Sequence, residues 1–273
     1  MSVRGYLQHG PQLARRIAGH RLLEPFVALV LRARAVRGSV AFVARELTGR
    51  KGLFSYRLRE FPAVRVGVRH SSGDPVTLGE VFHERDYRPP PEMDGFAPTR
   101  IVDLGANVGY FGAYALARWP GCSVRAYEPD PENAAVHCHT MALNLFGSRW
   151  QLERTAATTT DGEIGFAASG DALSRKADDG ALKVRSADVL PIVASADLLK
   201  MDIEGGEWEI LTDPRFAADP PARVVLEFHP EGAPGDDDPE AEVLELLAAA
   251  GLTCTFTSSF RLHGYGLVWA WRP

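Results

Sequence analysis

The chain has 273 residues, 45% hydrophobic and 24% charged, with 26 glycines and 19 prolines, which is an ordinary globular composition and excludes collagen-like, mucin-like and wholly disordered chains. Its three cysteines (Cys122, Cys138, Cys254) form no C-x-x-C pair, so disulfide frameworks and zinc knuckles are excluded and a reduced, cytoplasmic setting is expected. The net charge of −5 hides an asymmetry: residues 1–60 hold twelve Lys and Arg against three acids, leaving the remainder strongly acidic. A basic arm of this kind suits an anionic partner, or it docks on its own acidic body.

Apolar residues recur at helical spacing between Gln12 and Thr48 (Leu13 and Ile17; Leu22, Phe26 and Leu29; Val36, Val40, Val43 and Leu47), which predicts two or three amphipathic helices. The apolar stretch Phe26 to Leu31 is far short of the ~20 residues that cross a bilayer, so neither a membrane span nor export is expected. From Ala63 to Val81, alternation at Val64, Val66 and Val68, a Ser71-to-Pro75 turn, then Val76 and Leu78 predict a short β-hairpin. Pro89, Pro90 and Pro91 form a stiff linker. The expected organisation is a helical extension over 1–60, a hairpin and linker over 61–98, and the main domain over 99–273.

From Thr99 on, strands and helices alternate. Strands are expected at Arg100 to Leu104, Ser123 to Glu128, Leu198 to Asp202 and Arg223 to Phe228, and helices at Val108 to Arg118, Pro131 to Leu143, Glu207 to Leu211 and Glu240 to Ala250. Two further strands, Thr253 to Thr257 and Leu267 to Trp271, close the chain without a helix between them. The fold class is α/β, a mostly parallel sheet covered on both faces and ending in an antiparallel hairpin.

The strongest local signal is Ile101-Val102-Asp103-Leu104-Gly105-Ala106-Asn107-Val108-Gly109, a buried strand entering a glycine turn and a helix. A dinucleotide fold needs a glycine where Asn107 stands, to admit a pyrophosphate, so that reading weakens. Asp103 would repel a diphosphate but suits a cofactor carrying an ammonium or a sulfonium. Glu128, about 20 residues beyond the loop at the end of the next strand, is placed to accept hydrogen bonds from both hydroxyls of a ribose. Asp130 has two readings, cofactor contact or helix N-cap before Pro131.

These segments (Val102 to Tyr110; Tyr127-Glu128-Pro129-Asp130) and the more specific Leu199-Lys200-Met201-Asp202-Ile203-Glu204-Gly205-Gly206-Glu207 resemble those of class I, Rossmann-like S-adenosylmethionine-dependent methyltransferases of the FkbM family. The resemblance runs from about Arg69, with Asp74 and Tyr87 fitting its lead-in pattern, to the chain end. It implies a seven-stranded sheet with a reversed last strand, and S-adenosylmethionine as cofactor. It further implies that Gly105 and Gly109 contact the methionine part of the cofactor, Glu128 its ribose, and the Ala156-Ala157 stretch the adenine. The residues expected at the cofactor are thus Asp103, Gly105, Asn107, Gly109, Tyr110, Glu128, Asp130, Ala156 and Asp202.

Asp202, Glu204 and Glu207 follow one strand, and Glu227 and His229 end the next, so in a parallel sheet these groups converge on one crevice. A hydroxyl acceptor must lose its proton as it attacks, and His229 or Glu204 is the expected base, with Asp202 holding cofactor or substrate and Glu207 and Glu227 on the substrate side. Each has a plainer reading: His229 as a hydrogen-bonded strand end, Glu207 as a first-turn helix acid. Asp202 and Glu227 offer an alternative Mg²⁺ pair, which is not favoured. His137 and His139, two apart on a helix, are expected to be structural.

The expected activity is O-methylation of a sugar or natural-product hydroxyl, the O-methyl preference coming from the resemblance. Nucleic-acid methylation through the basic arm and a non-catalytic binding module are the alternatives. The first is disfavoured because no Asn-Pro-Pro-Tyr-like tetrapeptide is present and no aromatic residues interleave with the basic ones. The basic helices are expected to act as a lid or as a homodimer surface.

Overall fold

The computed structural model describes residues 24–167, 175–176, 182–235, 238–260 and 265–273. The helical pattern at Leu13 and Ile17 lies outside them. In the first part of the chain, α1 (Glu24–Ala33) and α2 (Ser39–Leu47) precede a two-stranded antiparallel sheet, β1 (Gly52–Arg57) with β2 (Arg65–His70), followed by the short helix α3 (Asp74–Gly79). The hairpin therefore lies earlier than the alternation over 63–81 predicts. Asp74 and Pro75 open a helix, as acidic and proline residues do in a first turn, and they carry Val76 and Leu78 into it. The true partner of β2 is the segment Leu53, Phe54 and Tyr56, which the arginine-rich surroundings disguise.

The main sheet has seven strands in the order β12-β13-β11-β10-β3-β4-β5. These are β3 (Arg100–Leu104), β4 (Ser123–Tyr127), β5 (Trp150–Glu153), β10 (Leu198–Met201), β11 (Arg223–Phe228), β12 (Thr253–Phe260) and β13 (Tyr265–Trp271). β13 runs antiparallel to both neighbours and the rest of the ladder from β11 to β5 is parallel, in agreement with the sequence reading. The central strands are apolar on both faces (Ile101, Val102, Leu104; Leu198, Leu199, Met201; Val224, Val225, Leu226), as a sheet covered on both sides requires. Helices α4 (Tyr110–Arg118), α5 (Pro131–Ala142), α7 (Glu207–Thr212) and α9 (Pro239–Ala249) lie close to their expected bounds, with short α6 (Leu190–Ala194) and α8 (Pro214–Ala218) between.

A third, four-stranded sheet went unread in the sequence: β6 (Ala156–Thr158), β7 (Gly162–Ala167), β8 (Arg175–Lys176) and β9 (Leu182–Asp188), in the order β6-β9-β7-β8. Its small core of Ala156, Phe166 and Val184 gives little hydrophobic signal.

Register sets the site. Met201 lies opposite both Leu104 and Leu226, and Leu104 opposite Tyr127, so β3, β4 and β10 end level with one another and β11 runs two residues further. The residues that follow (Gly105, Glu128, Asp202) and Glu227 emerge along one sheet edge, where β3 leads away to β4 on one side and β10 flanks it on the other. Such a switch point forms a crevice at the carboxyl ends of the strands. The β1–β2 pair docks beside it: Gly67 N donates to Thr140 Oγ1 (3.1 Å) and Tyr110 Oη to Gly67 O (2.8 Å). No helix among the described residues is long and apolar enough to cross a membrane.

Candidate active site

A cavity of about 720 Å³ opens at this edge, within the size range of cofactor and substrate pockets. The glycine loop, Glu128, the start of β6, the acidic turn after β10, the end of β11, α3 and Tyr87 all line it.

Gly105 is the residue that lets the walls approach. Its φ is +74°, and a Cβ there would lie 1.7 Å from the carbonyl oxygen of Asp202, so only glycine fits. The loop is tied to β4 by Gly105 N and Ala106 N, both donating to Tyr127 O (3.1 and 2.9 Å). Glu128 accepts from Asn107 N (2.8 Å) through one oxygen and from Asp130 N (2.8 Å) through the other. Burial pushes its pKa up to about 7 against the pull of these two amides. Asn107, itself at φ +48°, has a buried Oδ1 with no partner among the described residues.

The next layer is a buried charge cluster. Asp103 is fully buried beneath the loop, with no hydrogen bond to either oxygen, and Lys200 Nζ stands 3.5 Å from it. Burial raises the Asp103 pKa to about 6, with Lys200 pulling the other way. The same ammonium donates to Gly105 O (2.7 Å) and Leu104 O (3.3 Å) and lies 3.4 Å from Asp202 Oδ2. Burial disfavours the Lys200 charge, but Asp202, Asp103 and Glu227 outweigh it and hold its pKa above the usual lysine value. Tyr87 Oη also donates to Asp202 Oδ2 (3.2 Å).

In the turn after β10, Glu207 is fully buried and acts as a staple: Oε1 accepts from Ile203 N (2.7 Å) and Oε2 from Gly205 N (2.8 Å). This closes a loop in which Glu204 sits at φ +53°, an uncommon conformation for a non-glycine residue. His229 bridges the turn, with Nδ1 3.2 Å from Glu207 Oε1 and Nε2 3.5 Å from Glu204 Oε2. Burial lowers the His229 pKa, but the hydrogen bond to Glu207 and the charges of Glu207, Asp202 and Glu204 overcome it and push the pKa up to about 10. Burial, helped by Asp202, raises Glu204 to about 7 while His229 restrains it. With its pKa pushed so high the imidazole is the charged partner of the pair at neutral pH, and Glu204 is the member of the pair whose pKa lies near neutrality.

The structure brings Gly105, Asn107, Tyr110, Glu128, Ala156, Asp202, Glu204, Glu227 and His229 to the cavity wall. It does not bring Asp103, Gly109, Asp130 or Glu207 there. Asp103 lies under the loop. Gly109 packs on His137, whose ring a Cβ would meet at 2.7 Å. Asp130 caps α5, accepting from Glu132 N and Asn133 N, and so follows the N-cap reading. Glu207 spends its carboxylate on the turn. Asp202, Glu207 and His229 offer ligand atoms within 4.8 Å of one another; Glu207 meanwhile accepts from two backbone amides of the turn, and Lys200 flanks Asp202. In the sequence, Tyr87 and Lys200 figure only within the family-like segments, with no site role, and Glu80 not at all. Glu80 lines the cavity beyond α3, and burial, with Asp86 and Asp202, pushes its pKa up to about 8. A lysine in an otherwise apolar strand, Leu198-Leu199-Lys200-Met201, was the available signal.

S-adenosylmethionine, a ribonucleoside carrying a sulfonium and an ammonium, fits these residues. Glu128 matches a ribose diol, the unpartnered Asn107 Oδ1 matches an ammonium donor, and the carboxyl groups of Glu80, Asp202, Glu204 and Glu227 line the same cavity, where a bound cation would draw them toward their ionised forms. Fold and site together define a class I methyltransferase. Residues 103–252 match the family model described as the methyltransferase FkbM domain, and the chain belongs to the FkbM family of S-adenosylmethionine-dependent methyltransferases. No curated protein sequence matches the chain. Similar solved structures include a precorrin-6y C5,15-methyltransferase from Geobacter metallireducens (12% identity, 66% of this chain and 85% of that one, TM-score 0.40). Others are an O-methyltransferase family protein from Burkholderia thailandensis (13%, 72% and 57%, 0.44) and the fibrillarin pre-rRNA processing protein of Methanococcus jannaschii (13%, 64% and 66%, 0.39).

Proposed function

We propose that the enzyme is an O-methyltransferase acting on a hydroxyl of a sugar or natural-product small molecule, with Glu204 as the general base. The supporting observation is the Glu204–His229–Glu207 arrangement: a carboxylate with a pKa of about 7 on the cavity wall, held in place by an imidazolium that is itself anchored to a fully buried staple. When bound, S-adenosylmethionine supplies an electrophilic methyl group. Glu204 would take the proton of the acceptor hydroxyl as its oxygen attacks that methyl group. Asp202, fixed by Lys200 and Tyr87, borders the transfer zone. Glu128 and Asn107 hold the nucleoside side, Ala156 and Ala157 flank the base, and Glu227 and Glu80 face the acceptor. Proximity and in-line orientation supply much of the remaining acceleration.

The N-terminal segment serves this site as a cover. α3 supplies Val76 and Thr77 to the cavity and the turn that follows it Glu80 and Val81, and α1 backs α3, with the Arg32 stem packed where a Gly79 Cβ would lie. Part of the basic arm is engaged on its own chain: Arg45 stacks on Phe54 (4.2 Å) and Arg59 Nε donates to Val36 O (2.9 Å).

The test is a screen with methyl-labelled cofactor against sugar and polyketide-type alcohols, matched amines and RNA, with the methylated atom located by NMR. An O-methyl product on a small molecule is expected. Methylation of nitrogen, of carbon or of RNA alone would contradict the proposal.

A further inference from the structure

We propose that Lys200 is a positioning residue for the cofactor: its ammonium ties the floor of the glycine loop to Asp202, so that loop and carboxylate meet the ligand as one unit. The inference rests on the cavity being the cofactor site, not on the nature of the acceptor.

The geometry is specific. A lysine in the middle strands of a parallel sheet is costly unless its charge is compensated, and Lys200 is compensated on every side. Below it lies Asp103 (3.5 Å), above it the carbonyls of Gly105 (2.7 Å) and Leu104 (3.3 Å), and toward the cavity Asp202 Oδ2 (3.4 Å). The face of Tyr87 closes the cluster at 5.7 Å. Simple neutralisation of Asp103 would need none of the contacts above it. Two carbonyls of the loop at whose turn Gly105 stands, and the carboxylate that borders the cavity, instead converge on one ammonium. Lys200 and Tyr87 both engage Oδ2 of Asp202. Losing Lys200 would release two things at once, the orientation of the loop and that of Asp202, while leaving the backbone amides that hold Glu128 in place.

A purely structural role and a positioning role separate in a double variant. Lys200→Met alone strands the buried Asp103 and is expected to lower the denaturation midpoint. Adding Asp103→Asn removes the stranded charge and should restore the midpoint. If Lys200 positions the cofactor, the restored protein still binds S-adenosylhomocysteine about tenfold or more weakly by calorimetry, since charged hydrogen bonds to the loop and to Asp202 remain absent. Asp103→Asn alone, which keeps the ammonium and its contacts to the loop and Asp202, should bind within about twofold of the wild type. Wild-type affinity in the stable double variant would overturn the proposal. In the wild-type protein, the ¹⁵Nζ resonance of Lys200 should shift when S-adenosylhomocysteine is added, and an unmoved resonance at saturation would equally overturn it, even if the double variant does not fold. Failure of the wild type to bind S-adenosylhomocysteine would refute the cofactor site itself, an outcome distinct from either.

Discussion

Replacing Gly105 with alanine tests the closest approach in the site. The new Cβ would sit 1.7 Å from Asp202 O, 2.8 Å from the Asp202 carbonyl carbon and 3.1 Å from Ile203 Cγ2, at a backbone φ of +74°. The first two atoms are backbone and cannot rotate away. Relief requires parting β3 from β10, which are held together here by Asp202 N donating to Leu104 O (3.2 Å). A left-handed conformation costs alanine about 1–2 kcal/mol and overpacking about 1–3 more, so a loss of about 2–5 kcal/mol in stability is expected. Urea denaturation gives this directly, with Gly121→Ala as a control: a Cβ at Gly121 meets nothing within 4 Å, and that variant should stay within about 0.5 kcal/mol of the wild type. Affinity for S-adenosylhomocysteine should fall with the same substitution. A Gly105→Ala protein as stable as the control, with undiminished affinity, would refute the packing of the glycine loop on the acidic turn.

Two other consequences follow from buried groups. Glu128→Gln cannot accept from both Asn107 N and Asp130 N, so one amide faces another donor; cofactor affinity should drop by about tenfold or more in calorimetry, and an unchanged value would remove Glu128 from the cradle. His137, buried against Trp150 and Gly109, has its pKa lowered by burial to about 4. Its folded pKa lies below the unfolded value, so its contribution is fully present above about pH 6.5 and is lost as the pH falls through 4, by about 3 kcal/mol. His137→Leu should flatten that part of the stability-against-pH curve, and an identical slope in the variant would show that other groups cause the acid loss.

The parts of the fold legible in the sequence are those where buried strand positions leave a short, mainly apolar run, broken only by single residues such as Asp103, Arg125 and Lys200. β3, β4, β10 and β11 read as strands because Ile101 to Leu104 and Val224 to Leu226 are followed at once by a glycine turn or an acid. β6 to β9 were not legible because β6 and β8 are very short, the polar turn over 159–161 separates β6 from β7, and the sheet buries only a few small or isolated apolar side chains. β1 was hidden by arginines that turn out to stack on its own Phe54 and Tyr56. In the site, Gly105, Glu128, Asp202, Glu204 and His229 could be located from strand ends alone, since register then places them together. Asp103 and Glu207 could not be told apart from wall residues. Which of two neighbouring carboxylates faces the cavity depends on side-chain alternation and on the backbone amides that claim it. Lys200 escaped for the converse reason: apart from Asp202, its partners Asp103, Leu104 and Gly105 come from a strand and turn almost a hundred residues away.

The central claim is that Glu204 takes the acceptor proton. Its most direct test is the pH dependence of kcat/KM for the wild type and Glu204→Gln, with an acceptor from the screen. The wild-type rate should rise with pH through a limb near 7, reporting the free enzyme's carboxylate. Glu204→Gln should lose that limb and about 10²–10⁴ in rate while still binding S-adenosylhomocysteine. A variant that keeps both the wild-type rate and the limb near pH 7 would contradict the account.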